Sequence, residues 1–384
     1  MKILVFMPYY PPHIGGVEFY AEEMHSYLAK NNNITIFTPR LPKNSTEKEN
    51  IKKGKIKIIR FPAFEIVANY PLPKFWTLKF WRLFFSLYKQ NFDIVISHTR
   101  FFNTSLLALI YSKITKTKWV HIEHGSDFVK LSSEITNFIA KMYDYTFGKL
   151  IFKQSNLNIP ISNAVKKFIL KFDKRRLPVI YRGVDLNEIS KIPTGNIREQ
   201  YPGKIIITFV GRLFKWKGVD KSVQAIKLLP LSIRQKIIFL IVGNGEDFAK
   251  IKNITKNEPS IKMIGEVSRN EAIGILKASH IYIHSAYPGG GLSTSLLETM
   301  SCKNAIIATP NEGAKEVIQN NCNGYLIKNN NPDLIKKKII DLINDPAKIK
   351  KFGDNAYKHI KENFSWEESI KKYEKEFKKL LNQK

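Results

Sequence analysis

Two cations stand between two glycines in the segment FVGRLFKWKGVDKSVQAI, residues 209–226. Gly211 ends an apolar run, Arg212 and Lys217 follow it, and Gly218 opens a stretch with helical periodicity. A guanidinium donates hydrogen bonds as a planar fork and an ammonium acts as a point charge, so this pair can clamp a phosphate at a glycine turn. Cations that form surface salt bridges beside a loop are the alternative that the segment leaves open.

A second stretch, SAYPGGGLSTSLLETM (285–300), places three glycines ahead of a Ser/Thr-rich helix start and one acid. The N–H groups at the start of a helix, reinforced by the helix dipole, favour an anion such as a phosphate. One turn further in, the carboxylate of Glu298 can accept hydrogen bonds from two hydroxyls of a ribose. We therefore predict that the same phosphorylated ligand is also bound by Gly290, Gly291, Leu292, Ser293, Thr294 and Glu298.

A glycine pair, Gly15 and Gly16, stands where the segment YYPPHIGGVEFYAEEMHSYLAK passes from a loop into a helix. Paired glycines let backbone N–H groups approach an anionic ligand closely at a helix N-terminus. An ordinary loop before a helix fits equally well, because neither Gly-x-Gly-x-x-Gly nor Gly-x4-Gly-Lys is present here.

The segment EHGSD (123–127) ends another apolar run and brings His124 and Asp127 to one face. A histidine at the carboxyl end of a strand can donate a hydrogen bond to a substrate hydroxyl, and a structural histidine is the alternative. His121 precedes it in the same run, but without a third ligand the two histidines do not indicate a metal site. The chain also lacks Asp-x-Asp, His-Glu-x-x-His and Gly-x-Ser-x-Gly, which are the usual signals of paired-aspartate chelation, zincin chemistry and a nucleophile elbow.

Short β-branched runs alternate with helical patterns along the chain, in two series. The first series lies at 2–8, 34–39, 56–62, 93–98, 119–125 and 157–162, and the second at 204–212, 237–245, 261–267, 280–286 and 304–310. Strands that alternate with helices form βαβ units and parallel sheets, so we predict an α/β fold with two doubly wound domains. Ligands of such sheets bind at the carboxyl ends of the strands, where the segments described above lie.

A break rich in proline, glycine and charge separates the two series at 172–203. We predict an N-terminal domain over 1–178 and a C-terminal domain over 179–365. In the last segment, 366–384, aromatic and aliphatic residues recur at helical spacing with Lys and Glu between them, which predicts an amphipathic helix.

The chain has 384 residues and a formal net charge of +29, from 62 Lys and Arg against 33 Asp and Glu. This excess favours an anionic partner such as nucleic acid, an acidic membrane surface or a phosphorylated substrate, and a merely Lys-rich surface is the alternative. Two cysteines, Cys302 and Cys322, indicate neither a disulfide framework nor a zinc site. Because no stretch of about 18 apolar residues is present, we expect a cytoplasmic location.

In their order along the chain, the motifs resemble the retaining GT-B glycosyltransferases of family 4, also called glycosyl transferases group 1. The resemblance covers nearly the whole chain and rests on GGVE, HGSD, VIYRGVDLNEI (179–189), GRLFKWKG, IVGNGED, LSTSLLETMSC and FSWEE. It implies two Rossmann-like domains that face each other across a cleft, with the C-terminal helix crossing back to the N-terminal domain. It also implies transfer of a hexose from a nucleoside-diphosphate sugar to a saccharide or lipid-linked saccharide, as in polysaccharide or glycolipid assembly, with no metal and no other cofactor.

The resemblance implies roles for individual residues. Arg212, Lys217 and His124 match catalytic positions, and the two cations would stabilise the leaving nucleoside diphosphate. The positions implied for the donor are Gly15, Gly16 and Glu298, and those implied for the acceptor are His13 and Glu18.

Three departures from the family pattern leave the donor sugar open. Gly290 stands where the first acid of the Glu-x7-Glu signature is usual, Arg182 replaces an asparagine, and KNA (303–305) replaces Gly-x-Pro. A GT-B-type sugar-nucleotide epimerase, which needs further acid/base carboxylates, and a non-catalytic glycosyltransferase-like subunit therefore remain alternatives.

The segment 73–90 carries a basic stripe, Lys74, Lys79, Arg82 and Lys89, beside aromatic side chains and without an acid. This composition is typical of helices at a membrane interface, and a core helix with one wet face is the alternative. A second basic run over 166–176 can reinforce contact with anionic lipid. We expect a peripheral protein at the inner face of the cell membrane, and because nucleic-acid-binding motifs are missing we expect no nucleic-acid partner.

Overall fold

The computed structural model describes residues 1–13, 16–66, 70–128, 134–287, 292–311 and 313–383. Two compact units divide the chain: unit 1 consists of Met1–Gly183 and Trp366–Lys384, and unit 2 of Val184–Ser365. The boundary follows Gly183, whereas the sequence predicted it after Pro178. Each unit has its own sheet and its own hydrophobic core.

Unit 1 is built around a mainly parallel sheet. Its strands are β1 (Lys2–Phe6), β2 (Asn33–Pro39), β3 (Lys48–Ile51), β4 (Ile56–Phe61), β5 (Ala63–Ile66), β6 (Tyr70–Pro73), β7 (Ile94–His98), β8 (Lys118–Glu123) and β9 (Leu157–Pro160). In the described part of unit 1, the large sheet has the order β3-β4-β2-β1-β7-β8-β9, with β3 antiparallel to β4 and every other pair parallel. Strands β5 and β6 form a separate antiparallel hairpin.

Helices cover both faces of this sheet, because its central strands are apolar on both sides. Ile3 and Val5 of β1 enter one core, and Leu4 and Phe6 enter another. The helices of unit 1 are α1 (Gly16–Leu28), α2 (Leu78–Ser86), α3 (Asn103–Thr115), α4 (Glu134–Tyr143), α5 (Lys149–Gln154), α6 (Asn163–Ile169) and the C-terminal α17 (Trp366–Leu381).

The C-terminal helix α17 packs on α1. Tyr20 and Tyr373 share a hydrogen bond of 2.7 Å between their hydroxyls, and Trp366 is fully buried. A Cβ added at Gly183 would lie 2.4 Å from the Cα atom of Trp366, so only glycine fits where the chain leaves unit 1. The amphipathic helix predicted over 366–384 therefore belongs to the core of unit 1.

Unit 2 contains a second sheet with the order β12-β11-β10-β13-β14-β15, parallel throughout its described strands. Those strands are β10 (Ile205–Val210), β11 (Ile237–Val242), β12 (Ile261–Gly265), β13 (Ile281–His284), β14 (Ala305–Ala308) and β15 (Tyr325–Leu326). The helices are α7 (Leu186–Lys191), α8 (Ile197–Gln200), α9 (Val219–Lys227), α10 (Leu231–Arg234), α11 (Phe248–Thr255), α12 (Arg269–Ala278), α13 (Thr294–Ser301), α14 (Ala314–Val317), α15 (Pro332–Asn344) and α16 (Pro346–Asn363). The predicted α/β class with two Rossmann-like domains is confirmed.

Candidate functional site

The loop between β10 and α9 carries Lys217 on a short 3₁₀ turn, Lys215–Lys217. The turn ends at Gly218 with a φ of 63°, and a Cβ there would lie 2.3 Å from the carbonyl oxygen of Ser285. The Ser285 hydroxyl donates to the carbonyl of Gly218 at 2.8 Å. The loop with Lys217 is therefore locked against the end of β13, and only glycine fits at the contact.

Arg212 and Lys217 lie close enough for the charge of one to act on the other, and neither forms an ion pair with a carboxylate among the described residues; we call them the cationic pair. Burial, and then the charge of Arg212, lower the pKa of Lys217 to about 8. The neighbouring His284 stays neutral, because burial and the charge of Lys217 lower its pKa to about 3, and Asn311 donates to its Nε2 at 2.8 Å. Two cations held near each other without an acid are suited to receive an anionic ligand.

A pH dependence follows from the pKa of Lys217. The ammonium is charged below pH about 8 and loses its proton above it. We expect kcat/KM for an anionic donor to fall above that pH, approaching about tenfold per pH unit. In the variant Lys217→Arg the charge persists to high pH, so its profile should stay flat over this range. Steady-state rates between pH 6 and 10 give the profiles of the unchanged protein and of Lys217→Arg. If the two profiles superimpose, Lys217 does not contact the donor.

A cavity of about 580 Å³ opens at the carboxyl ends of three adjacent strands, β10, β11 and β12. The loops around it approach closely: a Cβ at Gly243 would lie 2.0 Å from the carbonyl oxygen of Gly211, and one at Gly245 2.7 Å from that of Leu213. Its lining consists of Val210, Gly211, Arg212, Val242, Gly243, Asn244, Gly245, Glu266, Val267 and Ala272. The sequence predicted only Arg212 of these as a site residue, although GNG directly after β11 and GEV at the end of β12 are signals of the same kind.

Glu298 lies in α13 and is almost fully buried. Arg269, the first residue of α12, donates from its Nε to Glu298 at 2.7 Å and from its Nη1 to Glu188 at 2.8 Å. The carboxylate is therefore held in a set orientation by a cation that the sequence analysis did not identify. No short motif links the two residues, because they come from different helices.

The start of α13 lies beside the end of β10. Ser293 precedes the helix without a capping hydrogen bond from its side chain, and its hydroxyl lies 2.9 Å from that of Ser295. The hydroxyl of Tyr282 donates to the carbonyl of Val210 at 3.1 Å, and its oxygen lies 3.2 Å from the hydroxyl oxygen of Ser295. Leu292 and Thr294 belong to the same described segment, whereas the predicted contacts Gly290 and Gly291 lie outside the described residues.

In unit 1 the predicted acceptor residues are in direct contact. Nδ1 of His13 and Oε1 of Glu18 lie 2.8 Å apart, within hydrogen-bonding distance, and the ring of Tyr9 stacks on His13 with 3.9 Å between centroids. Gly16 is the first residue of α1, with open space where a Cβ would stand. Its predicted partner Gly15 lies outside the described residues.

His124 is linked to a second histidine. Its Nε2 lies 3.0 Å from Nδ1 of His98, and the ring of Tyr20 stands at right angles to it with 4.7 Å between centroids. Burial lowers the pKa of His124 to about 4, although the charge of Glu123 opposes this shift. His124 is therefore neutral at pH 7 and can exchange hydrogen bonds with a hydroxyl without acting as a cation.

Glu123 organises the loop that carries His124. Its carboxylate accepts from the backbone N–H groups of His124 and Gly125 at 3.0 and 2.6 Å, and from Nη1 of Arg100 at 3.0 Å. Arg100 also donates to both oxygens of Asp144 at 2.9 and 3.0 Å. Burial alone would raise the pKa of Glu123, but Arg100 and further hydrogen bonds hold it well below its ordinary value.

The sequence predicts no metal site, because the usual metal-binding motifs are missing. Both ring nitrogens of His121 are engaged in the structure, with Ser97 at 2.8 Å and Glu123 at 3.1 Å. Across the described ranges, no group of three or more His, Cys, Asp or Glu side chains is placed to hold a metal ion. Independence from metal stays a prediction.

A GT-B protein consists of two Rossmann-like domains, and this chain has two such domains with polar loops at the carboxyl ends of their parallel strands. Because many other nucleotide-binding proteins contain domains of this kind, the comparisons with known proteins decide the class. The family model for glycosyl transferases group 1 matches residues 195–359, and that for glycosyltransferase family 4 matches residues 14–188. An uncharacterized glycosyltransferase of Methanocaldococcus jannaschii, MJ1069, is 46% identical over 100% of this chain and 99% of its own length. The chain therefore belongs to the family 4, group 1 glycosyltransferases, and the predicted family is confirmed.

More distant similarities support the same class. The GPI3 subunit of phosphatidylinositol N-acetylglucosaminyltransferase from Saccharomyces cerevisiae is 23% identical over 90% of this chain and 76% of its own. Among solved structures, HepE from Anabaena gives a TM-score of 0.75 at 18% identity, covering 99% of this chain and 100% of its own. Sucrose-phosphate synthase from Thermosynechococcus elongatus gives 0.76 at 17% identity, with both chains covered completely. These two structures show the shared fold.

Proposed function

We propose that this glycosyltransferase moves a hexose from a nucleoside-diphosphate sugar to a lipid-linked saccharide or another saccharide, with retention and without a metal. The observation that carries the proposal is the cationic pair Arg212 and Lys217, which has no carboxylate partner among the described residues, beside the cavity of about 580 Å³ in unit 2. Such a pair stabilises the negative charge that develops on a departing diphosphate. Support for the donor class comes from HepE, which was solved with UDP, with UDP and glucose, and with UDP-glucose.

The parts of unit 2 suggest an order for the donor. The cavity at the ends of β10 to β12 has room for a base, Glu298 presents a carboxylate for the ribose hydroxyls, and the cations receive the diphosphate. The hexose would then lie beyond the diphosphate. His124 of unit 1 is neutral and half-buried, and we assign it to a hydroxyl of the transferred sugar because the family resemblance implies that role.

The acceptor class is proposed from the relatives. Their names include an enzyme acting on phosphatidylinositol in S. cerevisiae, and in Escherichia coli a galactosyltransferase acting on GlcNAc-diphosphoundecaprenol, 25% identical over 67% of this chain. Both of these acceptors are lipids. A lipid-linked acceptor also agrees with the net charge of +29, which favours an anionic surface.

We propose that α2 and its flanks, together with the basic run over 166–176, contact the membrane. Phe80, Leu83 and Phe84 of α2 are buried, as the alternative of a core helix with one wet face requires, while Trp76 is 69% and Leu78 90% exposed. The second basic run is weaker than the sequence suggested, because Arg175 pairs with Asp173 and Arg176 with Glu376 inside unit 1. Within the described residues, no helix is both long and apolar enough to cross a bilayer.

The proposed activity is tested with a panel of UDP-, GDP- and ADP-sugars, by following release of the nucleoside diphosphate with and without membrane lipid extract. We expect one donor class to give release that the extract accelerates. Interconversion of the sugar without release would indicate the epimerase, and binding without either reaction would indicate the non-catalytic subunit.

In the same assay the variant Glu298→Gln should raise the donor KM by roughly 10- to 100-fold, because charged hydrogen bonds to the ribose are lost. The matched control is Glu199→Gln, an exposed carboxylate on α8, which should leave KM unchanged. An unaltered KM in Glu298→Gln would contradict the assigned ribose contact.

A further inference from the structure

The helix that follows the His124 loop exposes its bulky apolar side chains. Helix α4 continues through a π-helical segment, Asp144–Gly148, into α5. We call the exposed side of residues 134–150 of this helix the outward face. Its exposed apolar side chains are Ile135 (75%), Phe138 (65%), Ile139 (60%), Met142 (49%), Tyr145 (50%), Phe147 (46%) and Leu150 (40%).

Between residues 134 and 150 the fully buried side chains of this helix are small or charged, and bulky apolar residues, Ile151 and Phe152, are buried only at its end. Ala140, Asp144 and Gly148 are buried at successive turns, and a Cβ at Gly148 would lie 3.3 Å from Oδ1 of Asp144. Arg100 anchors the helix through Asp144. A helix that packs only for stability buries its bulky apolar side, and this one has the reverse arrangement.

The charged side chains around the outward face are mostly lysines, which favour an anionic partner. In 134–154 the only acids are Glu134 at the helix start and Asp144, and the latter is buried and paired with Arg100. Lys141, Lys149 and Lys153 are exposed. None of these three lysines forms an ion pair with a carboxylate in the part of the chain that the structure describes, and apolar side chains flanked by such lysines fit the headgroup and upper acyl region of an anionic bilayer.

The same anchor connects the outward face to the candidate site. Nη2 of Arg100 donates both to Asp144 and to the backbone carbonyl of Asp127, each within 3.0 Å. Asp127 ends the EHGSD segment that carries His124. Insertion of the helix into a bilayer would therefore hold the His124 loop at the lipid surface.

We propose that the outward face, residues 134–150, is a membrane-docking surface that presents the site to an acceptor in the bilayer, which is a lipid with a hydroxyl-bearing headgroup. This surface is separate from α2 and from the run over 166–176. The acceptor part rests on the proposed glycosyl transfer, whereas the docking part does not depend on it.

The test is flotation of the full chain with vesicles of phosphatidylcholine alone or with phosphatidylglycerol. We expect binding to the anionic vesicles, and at least ~10-fold weaker binding for the triple variant Ile135→Ser/Phe138→Ser/Ile139→Ser. The control Leu228→Ser/Leu231→Ser removes two leucines of unit 2 that are 51% and 62% exposed, and should bind as the unchanged protein does. The single variant Phe138→Glu tests the same face if the triple variant does not fold.

Three results would overturn the docking surface. The first is unchanged vesicle binding in both variants of the outward face. The second is loss of binding only in a variant of α2, Leu78→Ser/Phe85→Ser. The third is a dimer in light scattering that the triple variant converts to a monomer, which would assign the face to a second copy of the chain.

Nucleoside diphosphate release separates this inference from the proposed function. The triple variant should keep its release with a detergent-solubilised acceptor and lose it with an acceptor in vesicles. Vesicle binding without release from any donor would contradict the proposed transfer and leave the docking surface supported.

Discussion

Replacing Lys217 by Ala is expected to lower kcat for nucleoside diphosphate release by roughly 10²- to 10³-fold, the usual loss when one preorganised group at a developing negative charge is removed. The ammonium is half-buried beside Arg212, and Ser285 holds its loop through Gly218. It therefore needs no reorganisation when the leaving diphosphate gains charge. Stopped assays for the released nucleoside diphosphate, at saturating donor, measure this loss.

The matched control for this loss is Lys215→Ala. Lys215 lies in the same 3₁₀ turn and is exposed, so its removal changes the net charge equally without emptying the proposed clamp. We expect the control to keep kcat within about twofold, since exposed charges act weakly through solvent. Equal losses in the two variants would show that only the general positive field matters, and that Lys217 has no specific role.

Replacing Arg100 by Met is expected to lower the free energy of unfolding by about 3–5 kcal/mol, because it leaves buried carboxylates without their cation. Glu123 and Asp144 are both inaccessible to solvent and both bind this guanidinium. The guanidinium also lies 4.1 Å from the ring centroid of Phe168, so the variant loses a cation–π contact as well. Urea unfolding followed by circular dichroism measures the change.

The control for the buried network is Lys371→Met, which breaks an exposed pair with Glu368 in the same unit. Its unfolding midpoint should not move, since exposed ion pairs contribute little to stability. If Arg100→Met unfolds at the midpoint of the unchanged protein, the buried network does not stabilise unit 1. Contacts other than this network would then have to hold the loop with His124 in place.

Much of the fold could be predicted because the central strands are continuous β-branched runs. Strands β1, β10 and β11 fall inside the predicted runs, since strands buried on both faces of a parallel sheet need such residues throughout. Arg212 could be predicted as a site candidate for a related reason, because ligand-binding residues of these sheets follow the strands directly and Arg212 comes just after β10. Glu298 could be predicted because it lies one turn into the helix that follows the glycine-rich loop.

The missed strands lie at edges, where the sequence signal is weak. Strand β3 has the sequence KENI and is half-exposed, the hairpin strand β6 contains Pro71 and Pro73, and β15 has only two residues. Edge strands bury little and tolerate proline, so neither alternation nor hydrophobicity marks them. Their existence depends on a neighbouring strand that is already in place.

Sequence alone determined the class of this protein: the order of its strands and helices, its family, and the cations that follow β10. Only the tertiary structure decided which side chains contact one another. It joined Arg100, Glu123 and Asp144 into one buried network, placed Arg269 on Glu298, and exposed the apolar side of α4. The physical reason is that periodicity and composition describe a segment by itself, whereas pairing and burial are properties of surfaces that meet only when distant segments pack.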